Sequence, residues 1–206
     1  MSRLLGISRG IVEISRLGWL SGGMGVPQWN RMAETGGRGA RRRSTGLEDC
    51  FGRATDNEER TRADALLRGE NRLLEMIARG DALAPILDQL CRLVEEIFSG
   101  AVATILLLDA ANRLWHAAAP SLPEQYTAAL DGTMIGPAVG SCGTAAYRNE
   151  AVIVSDIAAD PLWTGYRHIP LAHRLQACWS MPIRSSTGGV LGTFAIYSRE
   201  RCTPGP

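Results

Sequence analysis

The sequence predicts an α+β sandwich built on antiparallel strand pairs. Three observations lead there. A broad apolar stripe of 3.6-residue spacing runs through Leu83, Ile86, Leu87, Leu90, Leu93, Val94 and Ile97. Two short β-rich runs follow it, on either side of Asp109–Asn112. Two more, Gln176–Ile183 and Val190–Tyr197, flank the turn-rich Ser185–Gly189 near the C-terminus. Short helical segments interrupt the strand pairs, unlike the regular alternation of a doubly wound sheet.

Each element has a local reason. A helix is predicted over 57–79, where Leu66, Leu67, Leu73, Leu74 and Ile77 include two seven-residue intervals. That narrow seam suits packing against another helix or a second subunit, and it predicts a homodimer through this helix. Gly80 can end the helix, and Asp81 can N-cap the next one over 82–98. Pro85 falls in that second helix's first turn, where its missing N–H costs little. Ala101–Leu108 and Arg113–Ala118 read as strands, and Pro123 opens a short helix over about 122–130. A strand near Val139–Ser141, a helix over Gly143–Arg148 and a strand at Val152–Val154 follow. Pro161 starts a helix through the Leu162–His173 region, with Pro170 irregular inside it. In Gln176–Ile183, Ala177, Trp179 and Met181 face one way and Cys178 and Ser180 the other; the pattern leaves open which face holds a site.

Composition bounds the function. The chain has 206 residues, 45% of them hydrophobic and 21% charged, as expected for one globular domain and a tail. A net charge of +1 supplies no electrostatic reason to expect nucleic acid. Every basic residue is arginine, which reads as codon bias. Cysteines stand at 50, 91, 142, 178 and 202 without a CxxC pair, arguing against structural zinc and a disulfide framework. Reduced thiols and a cytoplasmic location follow as expectations. No apolar run approaches the roughly 18 residues of a membrane span. Residues 1–56 read as a disordered, Arg- and Gly-rich extension, centred on Gly36–Arg43. The eight arginines and the Ile11, Ile14, Leu17, Leu20 face within 1–43 resemble a targeting segment, but an extension outside the domain is the preferred reading.

Several blocks carry a family resemblance. Ile135–Tyr147, Val152–Ile157 with Asp160–Trp163, Ala177–Ile183 and Val190–Tyr197 occur in order, after Leu73–Gly80 and Ile105–Asp109. Together they resemble the GAF domains of bacterial diguanylate cyclases, cyclic-di-GMP phosphodiesterases and two-component histidine kinases, over about residues 66–199. The resemblance implies a central antiparallel sheet with helices on one face and a small-molecule pocket on the other. It implies a signalling and dimerisation helix over 57–80, a GAF domain over 81–200 and a tail over 201–206. The implied function is a non-catalytic sensor of an unidentified small molecule, acting on a signalling output protein or domain. The output modules that commonly follow such domains have no counterpart here, so a sensor without its output is expected.

The candidate ligand site comprises Trp115, Cys142, Gly143, Thr144, Asp156, Trp163, His173, Cys178, Trp179 and Ser180. Gly140 and Gly143 let backbone approach a ligand, or simply permit a tight turn. Asp156 can accept a ligand hydrogen bond or cap the loop before Pro161. Trp163 and Trp179 can stack on a ring or fill core. His116 and His173 read as structural or surface residues rather than metal ligands. Cys142, placed ahead of a helix, would have its thiolate favoured by the helix N-terminus. It matches a cysteine of the GAF-type free methionine sulfoxide reductases, although Leu162–His173 lacks the second cysteine those enzymes carry. That reductase and a Cys142/Cys178 redox sensor are the alternatives to a plain sensor. No P-loop, HExxH motif, bilin signature or cyclic-nucleotide pattern occurs, so no cofactor is identified and no metal site is expected.

Overall fold

The computed structural model describes residues 56–202. The readings made for the N-terminal extension and for residues 203–206 lie outside the described residues. The elements are α1 (Asp56–Arg79), α2 (Leu83–Ile97), β1 (Val102–Leu108), β2 (Arg113–Ala118), α3 (Glu124–Leu130), β3 (Thr133–Met134), α4 (Gly140–Arg148), β4 (Val152–Val154), a 3₁₀ turn (Pro161–Trp163), α5 (His168–Ala172), β5 (Ala177–Arg184) and β6 (Val190–Ser198). The strands form one antiparallel sheet in the order β3-β2-β1-β6-β5-β4.

The sheet divides two apolar layers, because alternate residues on a strand face opposite ways. On one side, α1 and α2 pack through Leu66, Leu73, Leu87, Leu90 and Val94 onto Ala103, Ile105, Trp179, Phe194 and Ile196. On the other, α3, α4 and the 3₁₀ turn cover Val102, Leu106, Leu114, Cys178, Ala195 and Tyr197. The expected α+β architecture is present: the long helices occupy one face, and short helices frame the opposite one. An irregularity between Ile105 and Leu106 shifts the β1–β2 register, so that Ile105 opposes Ala118 while Leu106 opposes His116. Gly192 lies where β6 crosses β1; a Cβ there would overlap the Leu106 carbonyl oxygen.

Several local expectations need correction. Asp81 does not cap α2: the N-cap is Ala82 without a side-chain bond, and Asp81 pairs instead with Arg79 at 3.3 Å. Val139–Ser141 is no strand, because α4 already begins at Gly140. The expected helix over Leu162–His173 is two pieces, a 3₁₀ turn and α5. Pro170 is the third residue of α5, where its missing N–H would have had no intrahelical partner. The two-residue strand β3 was too short to show as a pattern. Reduced thiols hold for Cys91, Cys142 and Cys178, but Cys202 is disulfide-bonded. An odd cysteine count at irregular spacing carries no information on which Cα atoms approach, and that approach decides bridging.

Candidate functional site

The site is built around the start of α4. Val139 precedes the helix with its N–H donating to Thr144 Oγ1 at 3.1 Å, which ties off the first turn. Gly140 adopts φ +57, and its missing side chain makes room for the Trp163 ring, which would lie 3.2 Å from a Cβ. The next residue locks the arrangement: Ser141 Oγ accepts from Trp163 Nε1 at 3.1 Å and donates to the Cys178 carbonyl at 3.3 Å. One hydroxyl therefore pins the helix start to β5 and fixes the indole plane.

A cleft opens beside this helix start. Its sheet wall is Leu106, Leu114, His116 and Tyr197, and its helix wall is Val139, Gly140, Cys142 and Gly143. Leu130 and Thr133 close one side, Trp163 and Tyr166 another. The empty space, counting the open mouth, is about 410 Å³. Its enclosed part measures about 40 Å³, room for roughly three waters. Without rearrangement this leaves no room for a nucleotide.

On the helix wall of the cleft, Cys142 is the meeting point of a buried polar cluster. It is the third residue of α4, inside the first turn rather than ahead of the helix as the sequence suggested. The Cys178 thiol and the Ser180, Thr193 and Tyr197 hydroxyls lie around the same sulfur. These donors favour the thiolate more than burial disfavours it, bringing Cys142 from 9.0 down to about 7. Burial, reinforced by the neighbouring Cys142, pushes Cys178 well up, so one proton serves the pair. The buried Ser180 and Thr193 hydroxyls close no hydrogen bond of normal length and angle among the described residues. Burial likewise raises Tyr126 and Tyr197, whose rings meet edge to face at 6.1 Å.

The ten sequence candidates divide by position. Cys142, Gly143 and Trp163 line the cleft. Cys178 and Ser180 stand behind Cys142, and Thr144 holds the helix start. The other four lie elsewhere. Trp179 is in the helix-side core. Trp115 is 47% exposed and donates from Nε1 to Asp109 Oδ2 at 2.9 Å. Asp156 accepts from the Ala158 N–H at 3.0 Å and pairs with Arg201 at 3.2 Å, organising its loop. His173 packs edge-on to Tyr126 at 5.4 Å. Sequence reasoning passed over His116, Tyr166, Tyr197 and the apolar wall. The alternation of β2 carried a usable signal, since it puts His116 on the same face as Leu114. Among the described residues, no group of three or more His, Cys, Asp or Glu side chains could hold a metal, and no helix is long and apolar enough to cross a membrane.

Comparison with known proteins agrees with this architecture. The family model described as a GAF domain matches residues 82–204. A methyl sulfide methyltransferase-associated sensor from Methanosarcina acetivorans is 40% identical over 166 residues, 80% of this chain. The chain spans only 17% of that relative's length. Among solved structures, the GAF domain of a phosphoenolpyruvate-protein phosphotransferase from Coxiella burnetii matches with TM-score 0.52 at 17% identity, covering 66% of this chain and 78% of its own. The free methionine-R-sulfoxide reductase of Neisseria meningitidis, in complex with its substrate, matches with TM-score 0.51 at 20% identity, covering 73% and 80%. At such identities these two structures share the fold. The architecture, the family match and the sensor relative agree, and the chain belongs to the GAF domain family.

Proposed function

We propose that this chain is a non-catalytic sensory module that binds a small molecule in the cleft between α4 and the sheet, and passes that occupancy on to a signalling output. The observation that carries the reading is the cleft: largely apolar walls, a few fixed polar groups and a helix start held open by Ser141 and Trp163. Family membership and the sensor relative support it. The output, whether a cyclase, a phosphodiesterase or a kinase, is carried by the resemblance alone; a cytoplasmic setting is carried by the free thiols of Cys91, Cys142 and Cys178. A homodimer through α1 belongs to the same reading, because Leu67 and Leu74 remain 59% and 53% exposed at a seven-residue spacing.

The test is a thermal-shift screen of the full chain against a metabolite panel, repeated on Leu130→Trp, which fills the cleft from its rim. At least one compound should raise Tm in a concentration-dependent way, and the variant should lose that response while still unfolding cooperatively. A flat response across the panel, or an equal response in the variant, would count against the cleft.

A second reading has its own observation, the contact of Cys142 with Cys178. In it the Cys142 thiolate attacks the sulfur of a free sulfoxide. A Cys142–Cys178 disulfide then forms, the sulfoxide leaves as thioether, and its oxygen departs as water with the one proton of the pair and a second taken from solvent. A dithiol reductant would restore the pair. This reading requires turnover of free methionine sulfoxide that disappears in Cys142→Ser.

A further inference from the structure

We propose that His116, oriented by Asp131, is the acceptor that anchors the ligand, so that the cleft selects a small, mainly apolar molecule carrying one hydrogen-bond donor, a hydroxyl or an N–H. The inference rests on the cleft being the ligand site and adds the polarity of what enters it.

The geometry begins at Asp131. One of its oxygens, Oδ1, lies 2.7 Å from the His116 backbone N–H and 2.8 Å from His116 Nδ1. A carboxylate oxygen only accepts, so Nδ1 carries the ring proton. The His116 side chain is 6% exposed, and its burial pulls the ring's proton affinity below the usual imidazole value despite the carboxylate. The ring is therefore neutral near pH 7 and Nε2 presents a lone pair. That lone pair belongs to a residue on the cleft wall, directly opposite Leu106 in the β1–β2 register.

Apart from the Cys142 sulfur on the helix wall, the other polar groups leave this role to His116. The Thr133 hydroxyl already donates to the Leu130 carbonyl at 2.6 Å. The Tyr197 hydroxyl reaches toward the Cys142 sulfur. The Tyr166 phenol can donate or accept, so it does not set a polarity. His116 is the fixed acceptor, and the rest of the wall near it, Leu106, Leu114 and Leu130, is apolar. The second ring near His116 is Tyr126, edge-on at 6.3 Å.

Three ring-sized probes separate the possibilities: phenol has a donor, anisole an acceptor alone, and toluene neither. Binding to the full chain is followed by NMR, with imidazole ¹⁵N shifts for His116 and methyl shifts for Leu106, Leu114 and Val139. Phenol should bind about 3- to 10-fold more tightly than toluene or anisole, the factor one neutral hydrogen bond supplies. It should move the His116 Nε2 resonance toward that of a hydrogen-bonded acceptor. In His116→Phe the preference for phenol should vanish while toluene still binds. Asp131→Ala, a milder change, should mix the ring tautomers in the ¹⁵N spectrum and reduce the preference. If toluene matches phenol, or the preference survives His116→Phe, this inference is overturned and the cleft stands as a binding site. If no probe shifts the wall methyls, the cleft itself is not the ligand site.

Discussion

Cys142 shows how strongly one residue's chemistry depends on partners remote in sequence. Its position on a first helical turn already favours the thiolate, because the helix's unpaired N–H groups carry positive charge. A further effect comes from β5 and β6, which bring the Cys178 thiol and the Ser180, Thr193 and Tyr197 hydroxyls around the same sulfur. The expected outcome is an ultraviolet thiolate absorbance that titrates at about pH 7 and is lost in Cys142→Ser. Cys178→Ala should raise that midpoint toward the ordinary thiol value by removing the leading donor. A midpoint near 9 in the unmodified protein would remove the basis for thiol chemistry. The sequence showed the Cys142-Gly143 step, yet the four donors come from positions 178 to 197 and no local spacing links them to it. His116 was visible as a residue on an alternating strand. Its role depends on Asp131, which reaches it through the turn after α3.

Among the elements, α1 is the one whose two sides differ most. Leu66 and Leu73 are buried at 6% and 3%, and Leu93 of α2 fills the groove over Gly69. Leu67 and Leu74 lie one position on and stay exposed. The seven-residue repeat read from the sequence therefore resolves into two seams, one used within the chain and one free to meet a second copy. Replacing both exposed leucines, Leu67→Glu with Leu74→Glu, should shift the full chain from dimer to monomer in light scattering coupled to size exclusion. Tm extrapolated to low protein concentration should be nearly unchanged, since neither side chain is part of the core. A monomer before substitution, or a dimer after it, contradicts the seam. The long elements were legible because each spans enough residues to repeat its period. The pieces over 161–172 were not: a 3₁₀ turn and a five-residue helix are shorter than a pattern needs, and Pro161 and Pro170 suit several local solutions.

At the scale of the whole molecule, the sheet separates a helix-packed layer from a layer that contains polar groups and a cleft. Leu87, Leu90 and Cys91 are 0–1% exposed in the first, which is packed from apolar side chains. In the second, Ser180, Thr193 and Thr104 keep buried hydroxyls without ordinary partners, a cost tolerated most readily where a ligand or water can satisfy them. His116 links this layer to pH. Its folded proton affinity lies below the unfolded value of 6.5, so the unfolded chain takes up the proton first as pH falls. The contribution of neutral His116 is complete above about pH 6.5 and is lost as pH falls through the lower folded value. Urea unfolding between about pH 7 and pH 5 should show stability declining with acid, with a shallower decline in His116→Phe. An identical slope in the two proteins would mean that His116 is not held neutral.

The sequence by itself determined the α+β class, the strand pairs that flank their turns, the two long helices and the family, because these rest on periodicity and on blocks of contiguous residues. It also marked the Gly140–Thr144 segment as the start of something tight. Tertiary structure alone decided which face of β5 looks into the site. Cys178 and Ser180 went to the cleft side and Trp179 to the helix side, since a period of two divides the residues but does not say which set meets the helices. It alone brought His116 to Asp131 and Cys142 to its donors. Those pairings are made where α4 and the turn after α3 pack against a sheet of order β3-β2-β1-β6-β5-β4, whose two halves meet at the long-range pair of β1 with β6.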